Sequence, residues 1–395
     1  MIKTSSHIRY SIGVLTLLLG VVVPFVSAQD LLPIRQRCMT PVTDQPISGS
    51  IIYSRILGTN DTGYLEYQRV TPTLDLEPAG HEVLYQSPNS PLAIAQLVNE
   101  TFTQSQLVVL DQKHQIVKRL DHDVVPFYGG FPWARNGDIT VTYENKEGQP
   151  TVEFLHWDGN TLQERSKSDF LYIYHPLGAD IAVSPAGTQA VYPVKFPNRD
   201  TTSVVLADLV TDEIIWQTGN LPFKRRITDG VINWAPDGEL FVYPHYLDMG
   251  GYYIFMYQEL AQVDSGGHET ILTDFNRDGI RYGLGLTNWS WDSTKLPVIV
   301  LDYKGVDVTA VTPQPYTRLL YIWDRTLNEL VDVCFSSQGP DQGYSGFVWS
   351  WDSRYLAMVQ AKTGNIFILD TQEWTYQTVA ARAYGGFGET VWEPQ

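Results

Sequence analysis

An all-β chain folded as a β-propeller is predicted by three features of the sequence. A strand–turn–strand unit recurs along it, the copies are about fifty residues apart, and the two chain ends each supply part of one unit. The best copy runs from Val231 to Tyr243. Val231-Ile232-Asn233-Trp234 is a short apolar run, Ala235-Pro236-Asp237-Gly238 is turn chemistry, and Leu240 to Tyr243 returns as an aromatic and β-branched strand. Pro236 pre-sets its own backbone angle, and Gly238 takes a left-handed conformation at little cost. Copies are marked at 86, 133, 183, 234, 289, 349 and 392, with spacings of 47, 50, 51, 55, 60 and 43. A repeat of that period built only from strands and turns is the signature of a propeller. The expected form is seven four-stranded antiparallel blades, with six blades as the alternative.

The elements follow in order. Lys3 and Arg9 form a basic start, Ile12 to Val26 is apolar, and Val26-Ser27-Ala28 is a small-residue cleavage site, so residues 1–28 read as a signal peptide. The apolar run contains Pro24 and is short for a membrane span, so no stable membrane insertion is expected. Residues 29–47 are a Pro-containing arm draped over the ring, and 48–395 are the propeller. Gly49 to Leu57, Gly63 to Val70 and Leu74 to Glu77 are three strands with no turn mark before them. The missing strand lies near Gly388 to Trp392, so both termini build the first blade and remove the exposed edges of an open ring. The other blades span roughly 81–121, 128–170, 178–219, 229–273, 284–335 and 345–380. Their third strands often end in Asp, at Asp111, Asp208, Asp324 and Asp370, and the fourth strand is more polar and outermost.

Composition bounds the function classes. Apolar residues at 43% and charged residues at 18% describe an ordered globular chain, and 11 Trp with 23 Tyr suit packing between sheets. With 44 acidic against 27 basic residues, and both signal-peptide charges basic, the mature chain carries −19. That excess argues against nucleic acid or an anionic membrane as partner. Export permits a disulfide between the two cysteines, Cys38 and Cys334, tying the arm to the far side of the closure. Two cysteines are too few for a structural zinc site.

The W-[SA]-P-D-G unit, followed by an apolar strand and a strand ending in Asp, resembles the TolB-type (WD-repeat-like) propeller repeat over about residues 48–395. Trp234 to Gly238 is its best copy. The copies at 86 and 183 lack Trp, and Trp289-Ser290-Trp291-Asp292-Ser293 and Trp349-Ser350-Trp351-Asp352-Ser353 replace Pro-Asp-Gly by Trp-Asp-Ser. The resemblance implies a scaffold for protein or ligand binding, often at the cell envelope. It brings no catalytic motif, and fold alone does not fix function.

Candidate chemistry is sparse. The string nearest to a serine-hydrolase elbow, Gly343-Tyr344-Ser345-Gly346-Phe347, lacks the last glycine and precedes a strand rather than a helix. Asp274, Asn276 and Asp278, with Gly279, match the first half of a calcium loop, but Gly285 stands where a bidentate Glu is needed. The candidate cofactor is therefore a structural calcium or none, and the alternative is an ordinary polar turn. The loops entering the inner strands are rich in Tyr and Gly and crowd one mouth of the channel. Tyr128, His175, Arg281, Tyr344 and Tyr384 are the candidate ligand contacts there. The competing reading is that these aromatics fill gaps between blades. A catalytic metal in the channel would need ligands from several blades. Only Asn233 and Asn288 directly before the marks, and Asp180 and Glu389 further back, qualify. The tryptophans at 133, 234, 289, 349 and 392 are expected to pack between blades. The function expected is an exported, monomeric binding propeller for a protein, peptide or glycan, at the periplasm, cell surface or outside the cell. The alternative is a metal-assisted hydrolase or lyase at the channel mouth.

Overall fold

The computed structural model describes residues 31–57, 64–79, 85–86, 92–98, 105–111, 113, 115–119, 139–144, 150–157, 162–169, 182–195, 201–211, 213–218, 221–222, 232–246, 258–276, 282–304, 316–338, 343–383 and 390–393. Among these residues every regular element is a strand, and the strands form small, mostly antiparallel sheets, I to VII in chain order. Sheet I holds Thr390–Glu393, Ser50–Leu57, Tyr64–Val70 and Leu76–Pro78. Sheet II runs from Tyr85–Gln86 to Ile116–Arg119, and sheet III holds Ile139–Glu144, Pro150–Trp157 and Leu162–Asp169. Sheet IV runs from Ala182–Val183 to Leu221–Pro222, V from Asn233–Trp234 to Glu269–Ile271, VI from Tyr282–Leu286 to Glu329–Gln338, and VII from Tyr344–Trp349 to Thr375–Val379. Six sheets are complete blades of four or five strands, which is the alternative count given above; sheet III has three described strands. The turn mark at Trp133, where a fourth strand of sheet III was expected, lies outside the described residues.

The chain ends meet as expected. Thr390–Glu393 pairs antiparallel with Ser50–Leu57, with Ile51 opposite Trp392 and Ile52 opposite Val391. The approach is close enough to dictate Gly49. Its φ is +82°, and a Cβ there would lie 2.7 Å from Trp392 Nε1. Only glycine meets both demands.

The repeat's residues each have a bonding reason. At the turn marks the first residue's N–H closes the hairpin: Ser184 donates to Gln189 O, Ala235 to Leu240 O, Ser290 to Lys295 O and Ser350 to Tyr355 O. The fourth turn residue has positive φ in each case, at Gly187, Gly238, Ser293 and Ser353. A serine there costs about 1–2 kcal/mol relative to glycine. Its hydroxyl compensates by reaching the preceding blade. The Asp237 N–H donates to Ser293 Oγ at 2.9 Å and the Asp292 N–H to Ser353 Oγ at 3.0 Å. The Trp-Asp-Ser copies are thus turns that bond to their neighbours. The strand-ending aspartates cap the neighbouring hairpins at the same end. Asp111, Asp208, Asp324 and Asp370 each accept two backbone N–H groups on Oδ1 at 2.7–3.1 Å.

Tryptophan joins blade to blade. Trp234 Nε1–H donates to Ala182 O at 3.0 Å, Trp289 to Asn233 O at 3.2 Å and Trp349 to Asn288 O at 2.9 Å. Each indole is buried and reaches the residue just before the previous mark. At the closure the pattern changes: Trp392 donates to Ser48 O at 2.6 Å, and Trp351 to Trp392 O at 2.8 Å.

The arm is a bonded strap rather than a loose drape, and it makes two blades five-stranded. Ile34–Gln36 adds in parallel to the outer edge of sheet VI, and Thr40–Pro41 in parallel to that of sheet VII. Leu32 N–H donates to Leu272 O of sheet V at 2.7 Å, and Ile47 N–H to Pro72 O of sheet I at 3.0 Å. The reason is edge satisfaction: an outer strand has unpaired N–H and C=O groups that a parallel segment can saturate. Leu32, Met39 and Ile47 are buried pegs, each in a different interblade cluster. Cys38 and Cys334 are disulfide-bonded, with Cα atoms 4.9 Å apart, pinning the strap to sheet VI.

Two stability outcomes follow. Ser293→Ala keeps the unfavourable φ and loses the bond to Asp237, so denaturant titration should show a loss of about 1–2 kcal/mol. Ser293→Gly loses the same bond but relieves the backbone, and should lie closer to the parent. Equal stability of Ser293→Ala and the parent would show that the hydroxyl does not matter. Separately, Cys38→Ser should lower stability by about 2–5 kcal/mol in the same titration.

Candidate functional site

The two ends of the ring differ. At one end lie the turn marks and the Asp-capped hairpins, which are short. At the other, Asp302 pairs with Tyr282 and Thr317, and Thr317 with Gln338. The connections 247–257 and 305–315, and those from each outer strand to the next inner strand, leave from this second end. They lie outside the described residues, and so do four of the five candidate ligand contacts, Tyr128, His175, Arg281 and Tyr384.

The fifth, Tyr344, opens the inner strand of sheet VII, opposite Gln360. Its ring is edge-on to Phe335 of sheet VI at 6.0 Å and to Phe367 at 5.8 Å. Burial, with Tyr376 close by, pushes its phenol pKa up. Tyr344 thus lies half-buried at the VI–VII gap, packed between aromatic rings of the two sheets.

Beside it is a residue the sequence did not single out. Arg318 opens the third strand of sheet VI, opposite Ser337. Its Nη2 donates to Tyr316 Oη at 3.0 Å, and its Cζ is 5.5 Å from the Tyr316 ring centre. The Tyr303 ring packs on Tyr316 at 5.1 Å. Burial, reinforced by Tyr316 and opposed by the Arg318 charge, pushes the Tyr303 pKa up to about 12. The guanidinium lies against Gly343, where a Cβ would approach Cζ to 2.8 Å. Gly343 is therefore a space requirement. The only sequence signal was a lone Arg at the start of an apolar strand.

A second polar cluster lies mid-strand on sheet V, joining Tyr243 and His245 to Glu269, which pairs beside the Asp264 hairpin. Tyr243 Oη donates to Glu269 Oε1 and lies 3.0 Å from His245 Nδ1, which is itself 2.8 Å from Glu269 Oε1. Burial works to raise the Glu269 pKa, but the bonds from His245 and Tyr243 outweigh it and hold the carboxyl below its usual range. Burial and the Glu269 charge drive the Tyr243 phenol strongly upward. The arrangement fixes a carboxylate, a neutral phenol and an imidazole on one face. The Tyr243-x-His245 alternation was the signal that could have found it.

The calcium candidates divide. Asp274 is exposed and Asp278 lies outside the described residues. Asn276 turns its amide nitrogen to Glu259 Oε1 at 2.7 Å and to Gln258 O at 3.0 Å. The buried Glu259 also accepts from Thr273 Oγ1 and from the N–H groups of Phe275 and Asn276, at 2.7–2.8 Å. This segment is organised by a buried carboxylate accepting protein donors. In the channel, Asn233 Nδ2 donates to Thr287 O of the next blade, while Asp180 and Glu389 lie outside the described residues. Among the described residues no three His, Cys, Asp or Glu side chains are grouped as a metal site would need.

No protein-family model matches the chain, and a search of curated proteins finds no match. Comparison with solved structures finds other β-propellers. TolB from Acinetobacter baumannii is 14% identical over 88% of this chain and 83% of its own, with a TM-score of 0.41. An oligogalacturonate lyase in complex with manganese is 13% identical over 83% and 85%, with a TM-score of 0.46. A periplasmic gluconolactonase from Pseudomonas aeruginosa is 11% identical over 86% and 98%, with a TM-score of 0.44. At these identities and scores no activity is carried over to this chain.

The turn end supplies a pH test. Burial would raise the Asp370 pKa, but bonds from Arg354, at 2.5 and 2.9 Å, and from the Gln372 and Glu373 N–H groups hold it below the usual value. A carboxyl depressed by folding contributes stability that is full above its unfolded pKa of about 3.9 and is lost as pH falls through the lower folded value. Asp370→Asn should therefore cost about 1–3 kcal/mol at pH 7 in thermal unfolding. The gap to the parent should close as both are taken down through the acid range; a gap independent of pH would refute the charge-based account.

Proposed function

We propose that the chain is an exported, non-catalytic binding propeller that engages a protein, peptide or glycan partner through the connection end of the ring. The observation that carries this reading is the contrast between the two ends. At the turn end the connections are short, and the turn residues bond within their own hairpins or to the neighbouring blade. The connection end receives the long segments, and among its described side chains are half-buried tyrosines and Arg318. Such a surface is fitted to recognise an outside group. The leader-like residues 1–28 and the Cys38–Cys334 disulfide support an oxidising compartment. Among the described residues no helix is long and apolar enough to cross a membrane.

The test uses the full chain as immobilised bait against envelope extract and a glycan panel. Replacing Tyr128, His175 and Tyr384 together by Ala should lower capture of a bound partner at least about tenfold, the loss expected when interface anchors are truncated. Glu239→Ala at the turn end should leave capture unchanged. The reverse pattern would overturn the reading. So would a stoichiometric transition metal in the purified protein whose removal abolishes a hydrolase or lyase activity.

A further inference from the structure

We propose that Arg318 anchors an anion site at the VI–VII gap, and that the group it takes is a carboxylate. This rests on the binding reading above and gives the partner a chemistry.

Four other described arginines near the blade junctions are matched to acids, while Arg37 lies over the Trp374 ring at 4.5 Å. Arg35 pairs with Glu329 at 2.8 Å, Arg69 with Glu393 at 3.0 Å, Arg325 with Asp237 at 2.8 Å and Arg354 with Asp370 at 2.5 Å. Arg318 is half-buried, and among the described residues no carboxylate reaches it. Among the described residues its hydrogen bond is to the Tyr316 hydroxyl. Its Nε is sealed from solvent with no partner, and so is the Oγ of Ser337, the residue opposite it on the adjoining strand. Ser337 is only 7% exposed. A half-buried guanidinium whose Nε is sealed from solvent, opposite a buried hydroxyl with no partner, is an unfavourable arrangement that an oxyanion would relieve.

The geometry also selects the class. Gly343 leaves the guanidinium room to lie flat, and Tyr316 flanks it. A planar fork suits the two oxygens of a carboxylate. Tyr303 and Tyr316 bring hydroxyls to the same corner. The high pKa of Tyr303 keeps it a donor throughout the physiological range. With 44 acidic residues against 27 basic, the chain as a whole repels anions, so affinity for one has to be local. A terminal carboxylate of a peptide and an acidic sugar share this chemistry.

The experiment measures melting temperature of the full chain at pH 7 in sodium acetate, sodium phosphate and sodium chloride at matched ionic strength. Acetate should raise it above chloride, with half-effect on the order of 1–10 mM. Arg318→Gln should abolish the shift, Arg318→Lys should weaken it, and Ser337→Ala should weaken it several-fold while leaving the chloride baseline close to the parent. A C-terminal dipeptide and glucuronate, run in place of acetate, separate peptide from sugar. No shift beyond chloride, or an equal shift in Arg318→Lys and Ser337→Ala, would overturn the site even if Arg318→Gln does not fold. A shift with phosphate alone would overturn the carboxylate assignment. Loss of the anion response with partner capture intact would sink this site alone, whereas capture insensitive to the connection-end substitutions would sink the binding reading alone.

Discussion

The antiparallel pairing of Thr390–Glu393 with Ser50–Leu57 is the contact on which the rest of the molecule depends. A ring of wedges is only as strong as its seam, because an open ring leaves two strand edges unpaired. Here the seam joins residues more than three hundred positions apart, so its formation carries a large loop-closure cost that local contacts cannot offset. What surrounds it is correspondingly dense. Trp392 stacks on Tyr355 with ring centres 6.0 Å apart, donates to Ser48 O, and accepts the Trp351 indole N–H on its own carbonyl. Ser48 Oγ donates to Asp352 at 2.7 Å, so the last turn mark is tied to the residues just before the first strand. Arg69 reaches across to Glu393.

The strap belongs to the same problem. The arm touches sheets V, VI, VII and I in succession and so leads up to the seam. Its buried pegs, Leu32, Met39 and Ile47, recur every seven or eight residues, one per gap. The disulfide sits midway between the sheet VI and sheet VII contacts. Opening the seam would therefore require peeling the arm, and peeling the arm would expose three apolar gaps and a covalent tether. The pairing is parallel because the arm runs outside the ring in the same sense as the outermost strands it covers.

How far the sequence spoke can be traced residue by residue. Turn residues were legible because their constraint is local: Gly238 and Gly187 need positive φ, and the strand-ending aspartates cap the next two or three N–H groups. The seam was legible because a repeat that begins without its first strand and ends with one has a single consistent completion. The arm's strands were not legible. Pro33 and Pro41 break any alternation, and edge pairing is made by backbone, which leaves little trace in side-chain pattern. Ser293 and Ser353 looked like decay of a glycine motif, and only the neighbouring turn shows what the hydroxyl does.

Arg318 marks where reading by pattern stops. Its meaning lies in what does not approach it, and a missing partner has no sequence signature. Arg325, by contrast, touches Asp237 and Glu239 at once. Among the described residues no carboxylate reaches Arg318, and Gly343, Tyr316 and Ser337 are set around it, which keeps a charge poorly hydrated. The cost falls at the end of the ring opposite the turn marks. A half-buried cation is tolerable there if its counter-charge arrives with a ligand, so the most economical physical account of a guanidinium that no described carboxylate reaches is that its anion belongs to another molecule.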